Sequence, residues 1–207
     1  MKFFNVQYIK NIYAVLILLL LLTIGFLINY EKQKFIDYKS NINPDGGNYI
    51  KLTYIGSSHC YFSKNIENNR NVIKIKQQVK ELAIINDYKF ISSGISVDFN
   101  AYQGIKFLEK TGPYDEIIVG NNWFNEGVFK YVWDGFQGRP ATPQIIISNV
   151  TYEVEVYHGI KKSETVLKRF NGGTEIKNFL QVLKENQETG SAKLDILNIM
   201  KKVGEDS

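Results

Sequence analysis

The sequence predicts an α/β fold that follows one N-terminal transmembrane helix. Residues 12–28 are almost entirely apolar, which is typical of a membrane span. Residues 49–55 are rich in β-forming side chains and end in a Gly/Ser turn, which is typical of a buried strand. Between residues 72 and 85, apolar side chains recur at three- and four-residue spacing, which indicates a helix. Strand and helix patterns continue to about residue 185, so one domain is expected.

The N-terminal apolar segment approaches the length of a membrane span. At about 1.5 Å per residue, its roughly 17 residues nearly cover the ~30 Å hydrocarbon core. Lys2 and Lys10 precede it, as in a cleavable signal peptide, but no small-x-small cleavage site follows Ile28. We therefore expect an uncleaved signal anchor that holds the domain in the periplasm or another extracytoplasmic space. The expected anchor, linker, domain and tail are residues 1–30, 31–47, 48–187 and 188–207.

Composition narrows the functions that are open to the chain. The net charge of +4 is modest, and Lys and Glu alternate along most segments, so no nucleic-acid partner is predicted. The single cysteine, Cys60, excludes an intramolecular disulfide and a Cys-rich metal site. The two histidines, His59 and His158, lie too far apart in sequence to indicate a zinc site. No metal or cofactor is predicted.

Turn clusters and apolar periodicity divide the rest of the domain into strands and helices. Further strands are expected at residues 89–97, 115–119, 144–149, 151–157 and 165–170. Helices are expected from Cys60 to residue 85, with residues 68–71 as the site of any interruption, and at residues 101–110, 122–133, 174–183 and 194–203. The helix at 122–133 carries Trp123 and Phe124. Its aromatic side chains form either the core of an insertion or a docking face.

Cys60 is the candidate nucleophile. It follows a strand and a Gly/Ser turn, so we expect it at the first turn of a helix, where unpaired N–H groups and the helix dipole stabilise a thiolate. Ser63, one turn later, is placed to donate a hydrogen bond to that thiolate. A protonated His59 would lower the thiol pKa further, or its side chain is exposed and inactive. The alternative for a lone cysteine is a small buried core residue. Tyr61 is expected to be exposed and Phe62 to be packed.

Three short motifs resemble those of thioredoxin-fold proteins. Residues 60–63 read Cys-Tyr-Phe-Ser, which is similar to the family's Cys-x-x-Cys with serine in place of the second cysteine. Residues 97–100 read Val-Asp-Phe-Asn and resemble the family's Val-Asp-x-Asn. Thr142 and Pro143 resemble the Thr-Pro of its cis-proline loop. The resemblance implies a thioredoxin-like three-layer sandwich, with an α/β insertion at about residues 113–140, before the cis-proline.

The resemblance also implies a substrate site and a reaction. Thr142 and Pro143 would pair with an extended peptide, and Tyr61 would lie beside the sulfur. Cys60 would carry out thiol–disulfide exchange as a monothiol reductase or isomerase. Because Ser63 cannot resolve a mixed disulfide, a second thiol must release it. The expected partners are protein thiols or disulfides, a small thiol, or a partner oxidoreductase.

Other interpretations use the same residues. A redox-inactive thioredoxin-fold adaptor would bind a partner through the aromatic insertion. Residues 60–63 also resemble the Cys-Gly-Phe-Ser of monothiol glutaredoxins, which hold an iron–sulfur cluster with glutathione. In that comparison Tyr61 replaces the glycine, and Gly172-Gly173 comes too late after Pro143 to match that family's glycine pair. A peroxiredoxin interpretation fails at Thr53, where that family has proline.

Overall fold

The computed structural model describes residues 15–24, 46–134, 140–155 and 159–188. The chain divides into two units, Met1–Tyr38 and Lys39–Ser207. In the first unit, residues 15–24 form helix α1, whose apolar side chains are exposed. No helix within the described residues is both long enough and apolar enough to cross a membrane. Most of the expected anchor and linker, nearly all of the C-terminal tail, and the helix expected at 194–203 lie outside the described residues.

The second unit is a mixed α/β domain built on one five-stranded sheet. Its strands are β1 (Gly47–Gly56), β2 (Lys89–Ser96), β3 (Glu116–Ile118), β4 (Gln144–Glu155) and β5 (Gly159–Asn171). Its helices are α2 (Tyr61–Lys64), α3 (Ile66–Ile85), α4 (Ala101–Leu108), α5 (Glu126–Val128) and α6 (Gly172–Glu188). A 3-10 turn (Asn122–Phe124) precedes α5, and a π-helical turn (Phe129–Trp133) follows it.

The strand order brings the ends of β1 and β2 together. The order is β3-β2-β1-β4-β5, with β1 parallel to β2, β2 parallel to β3, and β4 antiparallel to β1 and β5. A parallel pair needs a crossover connection, and α3 lies in the segment that supplies it. Because β1 and β2 end at the same edge, the residues that follow them meet there, including Cys60 and Asp98. The antiparallel β4 begins at this edge, where Gln144 pairs with Ile55.

Apolar side chains fill both faces of the sheet. Successive side chains of a strand point to opposite faces. Ile50, Leu52 and Tyr54 of β1 belong to the larger cluster, which also contains side chains of α3, α4 and α6. Ile55, on the other face, packs in a second cluster with Val128 and other side chains of α5 and the π-helical turn. The sheet therefore has helical segments on both faces.

Three expectations about the elements are wrong. The interruption after Cys60 falls at Asn65, not at residues 68–71, because the Asn65 side chain caps α3 by accepting the backbone N–H groups of Glu67 and Asn68. The strands expected at 144–149 and 151–157 are one continuous strand, β4. The helix expected at 122–133 is three short turns of different helix types. The other described strands and helices lie within a few residues of their expected positions, apart from β5, which begins earlier, and α6, which extends further.

Close packing at Gly94 of β2 gives a test of the fold. A Cβ added there would approach the Tyr114 ring to 2.7 Å. That ring is buried, and its hydroxyl donates to Thr111 Oγ1 at 2.8 Å, so it does not move aside easily. We expect Gly94→Ala to lower the free energy of unfolding by about 1–3 kcal/mol, measured by urea denaturation.

Gly173→Ala is the matched control, because the nearest atom to its added Cβ lies 3.9 Å away. We expect this variant to stay within about 0.5 kcal/mol of the wild type. Equal stability of the two variants would contradict the close contact at Gly94.

Candidate active site

Cys60 lies in the turn between β1 and α2. It is the N-cap residue of α2, has extended backbone angles and is half-buried rather than enclosed in the core. Its S–H donates to the backbone carbonyl of Thr142 at 3.2 Å. The long helix expected directly after Cys60 does not begin there, because α2 contains four residues and α3 begins at Ile66. Individual hydrogen bonds, rather than the dipole of a long helix, therefore determine the thiol's environment.

Hydrogen bonds favour the thiolate form of Cys60. Burial raises the pKa of the thiol, but interactions with the side chains of Thr142 and Ser63, and with the backbone N–H groups of Ser63 and Phe62, outweigh it and lower the pKa. The net result is a pKa below that of an ordinary thiol. A thiolate is the form of cysteine that attacks a disulfide. The residue types and positions at this turn thus favour a nucleophile.

Two buried hydroxyl groups lie beneath the cysteine. Ser63 and Tyr54 are both fully buried, and neither hydroxyl makes a hydrogen bond of ordinary geometry with the described residues. The Ser63 side chain interacts electrostatically with both Tyr54 and Cys60. Burial raises the pKa of Tyr54 far above its usual value, so its phenol stays protonated at neutral pH. The Ser63 hydroxyl can therefore donate a hydrogen bond when negative charge develops on the sulfur, while the Tyr54 phenol stays neutral nearby.

Asp98, just after β2, holds the turn that carries Cys60. Its buried carboxylate accepts hydrogen bonds from Ser57 Oγ at 2.9 Å and from Ser96 Oγ at 2.7 Å. Ser58 donates its backbone N–H and its hydroxyl, both at about 3.0 Å, and His59 Nδ1 lies 3.0 Å away. Burial raises the pKa of this carboxyl, but the hydrogen bonds from Ser58, Ser96, His59 and Ser57 lower it below its usual range. Asp98 is therefore ionised at neutral pH.

Asp98 lies within the Val-Asp-Phe-Asn motif, but the motif does not mark it as a site residue. The available signal was its position at the end of the second parallel strand, opposite a Ser-Ser-His turn at the end of the first. The sequence analysis did identify His59, whose side chain is 74% exposed but bound to Asp98. The groups that lower the Cys60 pKa are Thr142, Ser63 and Phe62, and His59 is not among them.

A pocket of about 360 Å³ opens beside the sulfur. The turn after β1, the end of β2, the segment between α4 and β4 that is expected to be an insertion, and the segment before β4 all contribute to it. Its lining residues are Ser57, His59, Cys60, Val97, Asp98, Phe99, Asn122, Trp123 and Thr142. Because the insertion supplies Asn122 and Trp123, it contributes to the site as well as to the core on its face of the sheet.

Asn125 fixes the segment of the insertion that reaches the pocket. Its buried side-chain amide donates to the backbone carbonyls of Ser96, Gly120 and Asn122 at 2.9–3.2 Å. Its Oδ1 accepts the backbone N–H of Val128, which caps α5. Ser96 also donates its hydroxyl to Asp98. The end of β2 thus connects the insertion to the turn that carries Cys60.

The remaining expected substrate residues lie around the same site. The peptide bond between Thr142 and Pro143 is cis, and the backbone N–H of Gly172 donates to the Pro143 carbonyl at 2.8 Å. The β4–β5 hairpin therefore brings Gly172 next to Pro143 despite their separation in sequence. Tyr61 is exposed as expected, but the expectation that Phe62 is packed is wrong, because it is 60% exposed. The two rings meet edge to face, with their centroids 5.6 Å apart.

A larger pocket, of about 510 Å³, lies at the start of α6. Its polar lining is rich in asparagine, and Phe62 lies at its edge. Its lining residues are Phe62, Asn65, Glu67, Asn68, Asn71, Asn171, Gly172, Gly173, Thr174 and Lys177. This lining contains neither Cys60 nor Thr142, so the larger pocket does not include the candidate nucleophile.

Comparison with known proteins adds no relative to this description. No family model, curated protein or solved structure matches the chain. The function of the chain is therefore inferred from its own residues and geometry.

Ser63 provides a direct test of how the thiolate is stabilised. We expect Ser63→Ala to raise the apparent pKa of Cys60 and to slow its alkylation at neutral pH about threefold or more, because one hydrogen bond to the charged form is lost. The measurement is the rate of iodoacetamide alkylation against pH, read from the mass of the intact chain.

Ser148→Ala is the matched control for Ser63→Ala. Ser148 is also a fully buried serine whose hydroxyl has no hydrogen-bond partner among the described residues, but it lies in β4 and is paired with Lys51. We expect this variant to keep the wild-type alkylation profile. A Ser63→Ala profile that coincides with it would rule out the proposed role of the Ser63 hydroxyl.

Asp98 should make the free energy of unfolding depend on pH in the acid range. Its pKa is lower in the folded chain than in the unfolded chain, so ionised Asp98 contributes stability above about pH 4 that is lost as the pH falls through the folded pKa. We expect Asp98→Asn to lower the free energy of unfolding by about 1–3 kcal/mol at neutral pH. The difference from the wild type should shrink at about pH 2–3, as measured by urea unfolding.

Asp87→Asn is the control, because Asp87 is exposed and has a φ of 60°, which asparagine readily adopts. It should change stability by less than about 0.5 kcal/mol at either pH. A deficit of Asp98→Asn that stays constant down to pH 2 would show that the carboxylate charge is not what stabilises the turn.

Proposed function

We propose that this chain is a membrane-anchored thioredoxin-like protein that carries out thiol–disulfide exchange through Cys60. The observation that carries the proposal is the environment of the sulfur. The thiol is half-buried at the edge of a pocket, and its pKa is lowered, despite burial, by interactions with polar groups of Thr142, Ser63 and Phe62. A nucleophilic thiolate with room beside it is what attack on a disulfide requires.

The topology supports the thioredoxin-like assignment. The strands β2-β1-β4-β5, with β1 and β2 parallel and β4 and β5 forming an antiparallel hairpin followed by a helix, have the order and directions of the thioredoxin fold. The backbone carbonyl of Thr142 accepts the Cys60 S–H, so the Thr-Pro segment lies next to the sulfur, which fits the resemblance. On this assignment β3, α5 and the two neighbouring turns are the insertion.

The chemistry is that of a single thiol. The Cys60 thiolate attacks one sulfur of a substrate disulfide, the substrate S–S bond breaks, and a mixed disulfide with Cys60 forms. Ser63 has no sulfur with which to resolve it, and the sequence contains no other cysteine. The resolving thiol therefore comes from the substrate, a small thiol or a partner oxidoreductase. Reduction or isomerisation fits this scheme better than the net formation of a disulfide.

The proposed location follows from the N-terminal segment. Residues 12–28 are almost entirely apolar, and residues 15–24 of this segment are helical. An uncleaved signal anchor would hold the domain at the periplasmic or extracytoplasmic face of a membrane. Disulfides persist in such compartments, so substrates for exchange would be present there.

The test is whether the folded site accelerates exchange. We expect the reduced full-length chain in detergent to form a mixed disulfide with a peptide disulfide about tenfold faster at pH 6 than the same chain unfolded in urea. We also expect it to speed the isomerisation of a mispaired peptide disulfide in a glutathione buffer. Cys60→Ser should remove this acceleration, whereas Ser148→Ala should keep it. Equal rates for the folded and unfolded chain would contradict the proposal.

Exposed aromatic side chains favour a second candidate, a redox-inactive adaptor. Phe124 and Phe99 are more than 70% exposed, and Trp123 lines the pocket between the insertion and Cys60. Exposed rings of this kind are typical of protein-binding surfaces. The adaptor is favoured if the folded chain accelerates no exchange and Cys60→Ser leaves its cellular function intact.

A further inference from the structure

The two ring nitrogens of His59 have different roles, because Nδ1 contacts Asp98 and Nε2 is left to exchange protons. Its Nδ1 lies 3.0 Å from Oδ1 of Asp98, a carboxylate that is ionised and fully buried. An ionised carboxylate only accepts hydrogen bonds, so Nδ1 carries a proton in both the neutral and the charged ring. Protons are therefore gained and lost at Nε2. Since the side chain is 74% exposed, proton exchange at the ring is not blocked by burial.

The neighbours of Asp98 hold this arrangement in place. The Ser58 hydroxyl donates its hydrogen to Asp98 Oδ1 at 3.0 Å, so its oxygen can accept from His59 Nδ1 at 3.1 Å. The His59 backbone N–H donates to Ser57 Oγ at 3.1 Å, and Ser57 in turn donates to Asp98. The ring and the backbone of His59 are thus both tied to the same carboxylate.

His59 and Cys60 line the same pocket, so a disulfide that reaches the sulfur also meets the ring. The other titratable group of this lining is Asp98 from the end of β2, and the buried, protonated Tyr54 phenol of β1 interacts electrostatically with Cys60. No lysine or arginine is among the described residues that line the pocket. His59 is therefore the one side chain of this lining that can act as a cationic proton donor.

We propose that His59 is the general acid of the exchange reaction and that Asp98 is its positioning residue. This inference rests on the proposed function. The Cys60 thiolate forms a bond to one substrate sulfur, and the bonding pair of the substrate S–S bond leaves with the other sulfur. The charged ring gives its Nε2 proton to that leaving thiolate, producing a thiol and neutral His59. The proton lost when Cys60 ionises recharges the ring, so one thiol and one disulfide give one mixed disulfide and one thiol.

Two substrate disulfides, whose released thiols differ in acidity, test the proposal. The thiolate that leaves bis(2-hydroxyethyl) disulfide is strongly basic, so its protonation speeds the reaction. An aryl disulfide releases a stable thiolate, whose departure needs no acid. With the full-length chain, we expect His59→Gln to slow mixed-disulfide formation about tenfold with the alkyl disulfide and less than about twofold with the aryl disulfide. Intact mass reports the adduct, because Cys60 is the chain's only thiol.

His158→Gln, which removes the only other histidine, is the control and should react like the wild type with both disulfides. Asp98→Asn should slow the reaction with the alkyl disulfide more than that with the aryl disulfide, and Asp98→Glu should recover part of this difference.

Each outcome separates this inference from the proposed function. Equal slowing of His59→Gln with both disulfides, or no slowing with either, would overturn the role of His59 while leaving exchange at Cys60 intact. If Asp98→Asn is too unstable to measure, the His59→Gln comparison decides alone. A wild-type chain that reacts no faster than its unfolded form would instead overturn the exchange function itself.

Discussion

The buried carboxylate of Asp98 is the interaction on which the site depends. A buried charge is costly unless hydrogen bonds replace its hydration, so Asp98 requires the donors that surround it. Ser57, Ser58 and His59 supply them from the turn after β1, and Ser96 supplies one from β2. Meeting this requirement gives the turn a single shape, and that shape determines where the next residue, Cys60, lies. The parallel pairing of β1 and β2 makes the arrangement possible, because it ends both strands at one edge.

The environment of the sulfur is assembled from three separate parts of the chain. The start of α2 contributes Ser63 and the backbone of Phe62, and the segment before β4 contributes Thr142. Antiparallel pairing of β1 with β4 from Ile55 and Gln144 onward holds Thr142 at the distance needed to contact the thiol. The insertion completes the pocket through residues such as Trp123, positioned by Asn125. Each contribution is modest, and the lowered thiol pKa results from their sum.

Local patterns predicted much of the fold, and they failed where distant contacts decide the outcome. The apolar run of β1 and the periodic stripe of α3 are readable because strand and helix periods appear within a few residues. Four asparagines lie close together near the start of α3, and propensity alone does not show which one caps the helix. The insertion has helical composition, yet Asn125 uses its side chain to hold backbone carbonyls of Ser96 and Gly120, and only short turns form. That arrangement depends on β2 lying alongside, which the local sequence does not reveal.

By itself the sequence determined the chemical limits of the protein. One cysteine, no second thiol and a serine at the next turn position restrict any exchange to a monothiol scheme with an external resolving thiol. Only the tertiary structure decided what surrounds that cysteine: the carboxylate that holds its turn, the carbonyl that its S–H contacts and the aromatic wall of its pocket. The physical reason is separation along the chain. Ser58 and Asp98 are 40 residues apart, and Cys60 and Thr142 are 82 apart, so their contacts arise from the path of the sheet rather than from local periodicity.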